Sequence, residues 1–187
     1  ERDDFGSSDT FGIYINGYND GQQDFRFFVT AAGGQVDCLA TEQLGEDYSW
    51  NAIWESKVKI TEFGWAVEMK IPYAALRFSN EAQQTWGLNF VREIRRDRQT
   101  YTWTHVDSKI GAVIPQAGIL EGIENINTPT RLFFIPYSSL YYQKNDIGSG
   151  TTIKAGLDIK YGINDSFTLD AILVPDFGQT KFDNAIL

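Results

Sequence analysis

The sequence has only one cysteine, one histidine and one methionine. A single cysteine, Cys38, excludes an intrachain disulfide, and its place in the apolar alternation Val36-Cys38-Ala40 predicts a small buried side chain. A single histidine, His105, excludes a metal site built from several histidines. No run of 18 apolar residues occurs, which excludes a transmembrane helix. The chain starts without methionine or signal peptide, so we interpret it as a mature or trimmed product.

Positive charge is also scarce. The formal net charge is -9 at pH 7. Binding to a phosphate backbone needs a positive surface, so the composition argues against nucleic acid as a partner. An acidic surface suits neutral sugars or cations better. The one basic run, Arg95, Arg96 and Arg98, is interpreted as a solvated strand end rather than a binding patch.

Aromatic residues and glycines, in contrast, are frequent. Aromatics make up 14% of the chain, and 17 glycines interrupt it. No stretch shows a sustained 3.6-residue apolar period, so the composition indicates an all-β fold made of antiparallel strands. Alternation of apolar and polar residues predicts strands at 11–18, 24–30, 35–40, 53–60, 65–71, 86–94 and 101–104. Pro72 should end one strand and open a short helical turn, whereas residues 115–124 are predicted to be irregular.

The chain changes character after residue 124. Residues 125–130 form a polar, proline-containing linker, which predicts one domain over 1–124 and another over 131–187. The second part has alternating segments of about ten residues joined by short turns, a weak signature of a transmembrane β-barrel. A soluble antiparallel sheet gives the same alternation, so both alternatives stay open. Because the smallest such barrels have about eight strands, we expect these to be the first strands of a truncated barrel.

Several stretches of the first part carry a family pattern. They are Arg2 to Phe5, Ser8 to Ile15, Ser49 to Val58, Gly64 to Phe78 and Trp86 to Arg92. These stretches resemble the middle of the family 9 carbohydrate-binding modules and their relatives. The resemblance implies a jelly-roll-like β-sandwich that binds poly- or oligosaccharides. Modules of that family have further strands before the Arg-Asp-Asp run, so we expect N-terminal strands to be missing here.

The second part has a resemblance of its own. It lies in Asp158 to Gly162, Leu169-Asp170 and Pro175 to Gln179. These residues are similar to the opening of a barrel domain of undefined function that follows such a module in surface proteins of gram-negative bacteria. The resemblance implies a location at the outer membrane or cell surface and a part in polysaccharide capture or utilisation.

Tryptophans are the first candidates for a sugar site, because pyranose rings stack on flat apolar faces. Strand phase predicts that Trp65 and Trp86 belong to the core. Trp54 is expected to pack beneath Trp50. We predict Trp50, after an acidic loop, and Trp103, near a sheet end, as the sugar platforms.

Arg92 and Asn89 are the predicted polar partners of the sugar. Arg92 shares the strand phase of the apolar residues near it, and an inward arginine must pair with a carboxylate. Glu68 or Asp37 could provide that carboxylate. We expect such a pairing to be structural rather than ligand-binding.

Carboxylates crowd the first turns of the chain. Asp3, Asp4, Asp9 and Asp20 are candidate calcium ligands, since Ca²⁺ takes six to eight oxygen ligands. The related modules often hold structural calcium, which the resemblance extends to this chain. Simple solvated acidity is the alternative.

No independent catalytic set is predicted, so we do not expect the chain to be an enzyme. Glu68 has no identifiable second carboxylate of the kind that glycoside hydrolysis needs. No Gly-x-Ser-x-Gly elbow occurs. Two alternatives to sugar binding remain: a degenerate structural module that caps or plugs its own barrel, and a part of a glycoside hydrolase.

Overall fold

The computed structural model describes residues 4–127, 130–145, 148–163 and 167–173. The fold is all-β, as the alternation predicts. The chain divides into two compact units, Glu1–Thr128 and Pro129–Leu187. In these described ranges, no helix combines the length and the apolar character needed to cross a membrane.

The first unit contains two sheets. Its strands are β1 (Thr10–Asn16), β2 (Gln23–Thr30), β3 (Gln35–Thr41), β4 (Gly45–Asp47), β5 (Glu55–Thr61), β6 (Gly64–Lys70), β7 (Gln83–Ile94), β8 (Gln99–Thr102) and β9 (Gly118–Glu124). The main sheet has the order β4-β3-β2-β1-β7. The far edge of β7 pairs with β9 near its beginning and with β8 near its end. β5 and β6 form a separate antiparallel hairpin.

Local sequence sets the turns between these strands. Asn19 and Gly21 have φ values of 51° and 69° in the β1–β2 turn, a conformation that asparagine and glycine tolerate best. Pro72 follows β6 and precedes a 3-10 turn at Tyr73–Ala75. Proline lacks the N–H that a ladder needs, so the strand ends there and the predicted short helical turn is confirmed.

The core of the first unit lies between the main sheet and the β5–β6 hairpin. Alternate residues of β1, β2 and β7 face it, and Val58, Val67 and Met69 of the hairpin cover it from the other side. Phe27 is completely buried, and its ring lies 5.9 Å from that of Trp50 and 5.4 Å from that of Trp54. Full burial of such a ring stabilises the fold by about 3 kcal/mol.

A smaller apolar cluster lies on the other face of the main sheet. Phe28, Val36 and Cys38 form it, with Phe5 and Tyr14 packed against them. Cys38 is completely buried, as predicted. Burial, which disfavours the thiolate, raises the pKa of the Cys38 thiol to about 12.

The same face contains a buried ion-pair network centred on Arg26. Its Nε lies 2.7 Å from Asp24 Oδ1, and its Nη1 lies 2.7 Å from Glu46 Oε1. The guanidinium also lies over the Tyr14 ring, 4.2 Å from the centroid. Burial raises the pKa of Asp24 despite the arginine beside it. Such a network fixes side-chain geometry more than it adds net stability.

Residues 118–124 form a strand, so the irregular structure predicted for 115–124 is wrong there. β9 pairs with β7, and the register shifts between Gln84 and Trp86. Gly122 has a φ of 91° in this bulged ladder. A bulge breaks the period of two, so Leu120 and Ile123 both pack against the core although three positions separate them. Alternation alone therefore missed the strand.

The described residues of the second unit form one antiparallel sheet with the order β10-β11-β12. Its strands are β10 (Leu132–Asn145), β11 (Gly148–Gly162) and β12 (Thr168–Leu173). Cross-strand pairs such as Leu140↔Ile153 and Phe134↔Ile159 fix the register. The strands are longer than those of the first unit, as the sequence predicts.

The two faces of this sheet differ sharply in polarity. One face has no charged side chain over Leu132–Tyr142 and the facing parts of β11 and β12. Its members are Leu132, Phe134, Pro136, Ser138, Leu140, Tyr142, Thr151, Ile153, Ala155, Leu157, Ile159, Tyr161, Leu169, Ala171 and Leu173. The other face carries Lys154, Asp158, Lys160 and Asp170. The apolar face is the more exposed one, since Leu140 and Ile153 are 70% and 75% exposed.

Candidate functional site

An open groove lies between the tip of the β5–β6 hairpin and the main sheet. Its volume is about 420 Å³, and it is lined by Phe11, Thr61, Phe63, Gly64, Trp65, Val67 and Arg92. Thr61 pairs with Gly64, so Glu62 and Phe63 form the hairpin turn. Phe63 is almost fully exposed there, at 97%. A large apolar ring at a turn, where polar residues are usual, makes the groove a candidate binding surface.

Rows of aromatic side chains continue from the groove across the main sheet. Phe11 on β1 stacks on Phe90 on β7, with 5.9 Å between ring centroids. Phe90 in turn meets Trp103 edge to face at 5.7 Å. The hairpin does not cover this end of the sheet, and Trp103 remains 58% exposed. The result is an exposed apolar platform suited to a flat ligand such as a sugar ring.

Gly118 of β9 leaves the space that the Trp103 indole occupies. A Cβ at position 118 would lie 2.7 Å from the indole and 2.6 Å from Cγ2 of Thr104. Any side chain there would displace the indole. The missing side chain at position 118 therefore allows the Trp103 indole to lie where it does.

Arg92 supplies the one positive charge of the groove lining. It faces the groove from β7, directly opposite Phe11 on β1 and Tyr101 on β8. Asp37 lies elsewhere, fully buried, and accepts a hydrogen bond from the Ala52 backbone. Glu68 lies on the exposed side of the hairpin, opposite Lys57. The expected pairing of Arg92 with either carboxylate is therefore wrong, because neither carboxylate is among the residues that line the groove with Arg92.

The other two predicted sugar-binding residues lie away from the groove. Trp50 is half-buried, and its ring packs 5.1 Å from that of Phe25 as part of the core. Trp54 lies beside it in the core, as expected. Asn89 is 3% exposed on the opposite face of the sheet, where its Oδ1 accepts a hydrogen bond from the Thr104 backbone at 3.1 Å. Of the four predicted residues, the structure brings only Trp103 and Arg92 to the groove region.

The three aromatic residues of the groove lining, Phe11, Phe63 and Trp65, were not among the predicted sugar-binding residues. Trp65 was placed in the core by its strand phase, and it is half-buried at the groove wall. The exposed ring of Phe63 did have a signal in the sequence, because it stands next to Gly64 in a two-residue turn.

The described candidate calcium ligands accept hydrogen bonds from different groups. Asp4 Oδ1 accepts a hydrogen bond from Gly6, Asp9 Oδ1 from the Arg95 backbone, and Asp20 Oδ1 from Asn16 and Gln22. Asp3 lies outside the described residues. In the described part of the chain, no three His, Cys, Asp or Glu side chains gather as a metal site. Calcium binding stays a prediction.

A larger cleft of about 720 Å³ lies on the first unit near the start of β5. Its lining includes Glu55 and Lys70, which form an ion pair at 3.4 Å. The one aromatic residue in its lining is Trp54, which is only 7% exposed. This cleft offers paired charges and no open ring face, so it suits a sugar less well than the groove.

Residues 128–187 match the family model described as a domain of unknown function, DUF5916. The matched part contains β10, β11 and β12. Neither a comparison with curated proteins nor one with solved structures finds a match.

Proposed function

We propose that the first unit binds oligo- or polysaccharide in the groove formed by Phe11, Phe63, Trp65 and Arg92. The observation that supports this most is the exposed aromatic surface at the hairpin tip and along β7 and β8. Phe63 and Trp103 offer open ring faces, and Arg92 offers hydrogen-bond donors beside them. A sugar needs this combination, because its C–H-rich face stacks on rings while its hydroxyls need polar partners.

Titration of the full chain with a panel of oligosaccharides tests this proposal. All five tryptophans lie between residues 50 and 103, so binding at the groove should change the intrinsic fluorescence. A detergent without a sugar headgroup must be used, since a maltoside would compete. No change in fluorescence or heat across the panel would contradict the proposal and leave a purely structural module, such as a cap on a barrel.

A matched pair of variants locates the site. Phe63→Ala removes a ring that is 97% exposed, and Leu44→Ala removes a comparably exposed side chain, at 90%, from the β3–β4 turn. If a sugar covers about 60 Å² of the Phe63 ring, the loss is about 1.5 kcal/mol, or about tenfold in affinity. Leu44→Ala should leave affinity unchanged. Equal effects of the two variants would place the site elsewhere.

We further propose that the second unit is part of the wall of an outer-membrane β-barrel. Its apolar, exposed sheet face favours this over a soluble sheet, whose outward residues would be polar. The ten residue steps from Leu132 to Tyr142 span about 33 Å along the strand. A tilt of about 40° reduces this to about 25 Å along the membrane normal, which is the height of the apolar band of such barrels. Aromatic rings lie towards both ends of the band, at Phe134 and Tyr142.

Neighbouring residues on β10 provide the test. Spin labels attached at Leu140→Cys and Ser139→Cys should report opposite environments in lipid bicelles, because the two positions face opposite sides of the sheet. The label at 140 should collide with dissolved oxygen, and the label at 139 should not. Cys38 is buried and stays unlabelled. Two labels that are equally accessible to a water-soluble nickel chelate would contradict membrane insertion.

A further inference from the structure

We propose that the groove selects an acidic sugar, a residue that carries a carboxylate, and that Arg92 is the residue that recognises it. The inference rests on the proposed sugar-binding function and names its ligand class. It starts from an unpaired cation in a groove lined by aromatic and small side chains.

Arg92 differs from the nearby Arg95 and Arg96 in having no anionic partner. Arg95 pairs with Glu93 at 3.1 Å, and Arg96 pairs with Asp97 at 3.1 Å. Within the described ranges, the side chain of Arg92 forms no ion pair or hydrogen bond. Among the described residues that line the groove, none is acidic. The guanidinium therefore has its donors free for a ligand.

The surroundings of Arg92 make an anion the best match for those donors. Phe11 and Tyr101 flank it on the two neighbouring strands, and Phe63 and Trp65 line the opposite wall. Arg92 is itself exposed, and a ligand held between these rings would exclude water from it, which strengthens attraction to a negative charge. A planar guanidinium binds a carboxylate through two parallel hydrogen bonds, whereas a neutral hydroxyl leaves the positive charge unbalanced.

The net charge of the whole chain works against an anionic ligand, so the attraction would have to be local. With a net charge of -9, the chain offers no general attraction to an anionic polymer. Any preference for an acidic sugar must then come from a local cation. Among the residues that line the groove, Arg92 is the only one that qualifies.

The test compares ligands that differ only in charge. The full chain, in a detergent without a sugar headgroup and with EDTA present, is titrated with tetragalacturonate and with its methyl ester. Mannuronate and guluronate tetramers and their esters extend the panel, and a sulfated tetrasaccharide shows whether another anion substitutes for carboxylate. We expect the acids to bind about tenfold more tightly than the esters, as loss of one charged hydrogen-bonded pair implies.

Variants assign the preference to Arg92. Arg92→Gln should abolish the preference, so that acids and esters bind with equal affinity whatever the change in ester affinity itself, while Arg92→Lys should keep part of the preference. Arg96→Gln, a change at a fully exposed arginine outside the groove, should have no effect. Near-UV circular dichroism confirms that each variant is folded.

The outcomes separate the two proposals. If neutral sugars bind and Phe63→Ala weakens them, but the acids show no advantage or Arg92→Gln keeps it, the acidic-sugar inference is overturned and sugar binding stands. If no saccharide of either kind binds, both proposals fail. A preference for the sulfated ligand that Arg92→Gln abolishes would support an anion site and replace carboxylate with sulfate as its ligand.

Discussion

The two units place their apolar residues in opposite ways. In the first unit, Phe27 and Val29 are fully buried between two layers, and the charges of β5 and β6 point outward. In the second unit, Leu140 and Ile153 lie on the open face of a single layer, and the charges share the other face. Both units show the same period of two in their sequences. The alternation therefore shows that a strand has two faces, but it does not show which face meets water.

The largest expected difference is in the loss of stability when a buried or an exposed apolar side chain is removed. Phe27→Ala should lower the free energy of unfolding of the first unit by about 3–5 kcal/mol, because it leaves a cavity between Trp50 and Trp54. Leu140→Ala should change the stability of the second unit by about 0.5 kcal/mol or less in detergent, since the side chain already contacts solvent. Hydrogen exchange measured by mass spectrometry reports both units in one experiment. Similar losses of stability at the two positions would contradict the finding that apolar residues are buried in the first unit and exposed in the second.

A pH effect of intermediate size should be confined to the first unit, which contains the only cysteine. The folded thiol of Cys38 has a pKa of about 12, whereas an unfolded thiol ionises near 8.5. Above pH 8.5 the unfolded state loses a proton that the folded state keeps, so the free energy of unfolding should fall as pH rises. The slope approaches about 1.4 kcal/mol per pH unit at most.

Urea unfolding between pH 8 and 10, followed by tryptophan fluorescence, measures this slope. The Cys38→Ala variant is the control and should lose it. Tyr14 and Tyr48 also have raised pKa values because burial disfavours their phenolates, so their contribution begins near pH 10 and leaves the lower window to Cys38. A slope that survives in Cys38→Ala would contradict the assignment.

The smallest expected effects come from one lysine in each unit. Lys70 forms an ion pair with Glu55 at 3.4 Å, and both side chains are about three-quarters exposed. Lys70→Ala should therefore cost about 0.5 kcal/mol or less. Lys154 lies 5.2 Å from the centroid of the Tyr141 ring, and Lys154→Ala should cost about 0.5–1 kcal/mol. Hydrogen exchange of β6 and β11 compares them, and a larger loss at Lys70 would reverse the expected order.

The sequence predicted the strands well because burial of one face imposes a strict alternation. Phe25, Phe27 and Val29 show it on β2, and the pattern located the β1–β2 and β5–β6 hairpins. Strand phase also separates Arg92 from Asn89, because their positions differ by three, and an odd difference puts two strand residues on opposite faces. The prediction of both as sugar ligands therefore conflicts with the alternation that identified β7.

The groove itself could be predicted only in part. Trp65 has the phase of a core residue, and it does face inward. Whether it is covered depends on how far the β5–β6 hairpin reaches across the main sheet, which is a matter of three-dimensional packing. For the same reason, the strand phase of Arg92 predicts that its side chain lies on the core-facing side of β7, but it does not predict that the side chain is exposed.

Gly118 has a consequence for how this surface can change. The indole of Trp103 lies against bare backbone, so its tilt depends on a residue that no ligand needs to touch. Replacing that glycine with alanine would displace the indole ring and change the shape of the exposed aromatic surface. If the proposed sugar site is correct, its affinity would then change although no side chain that contacts the sugar has been replaced.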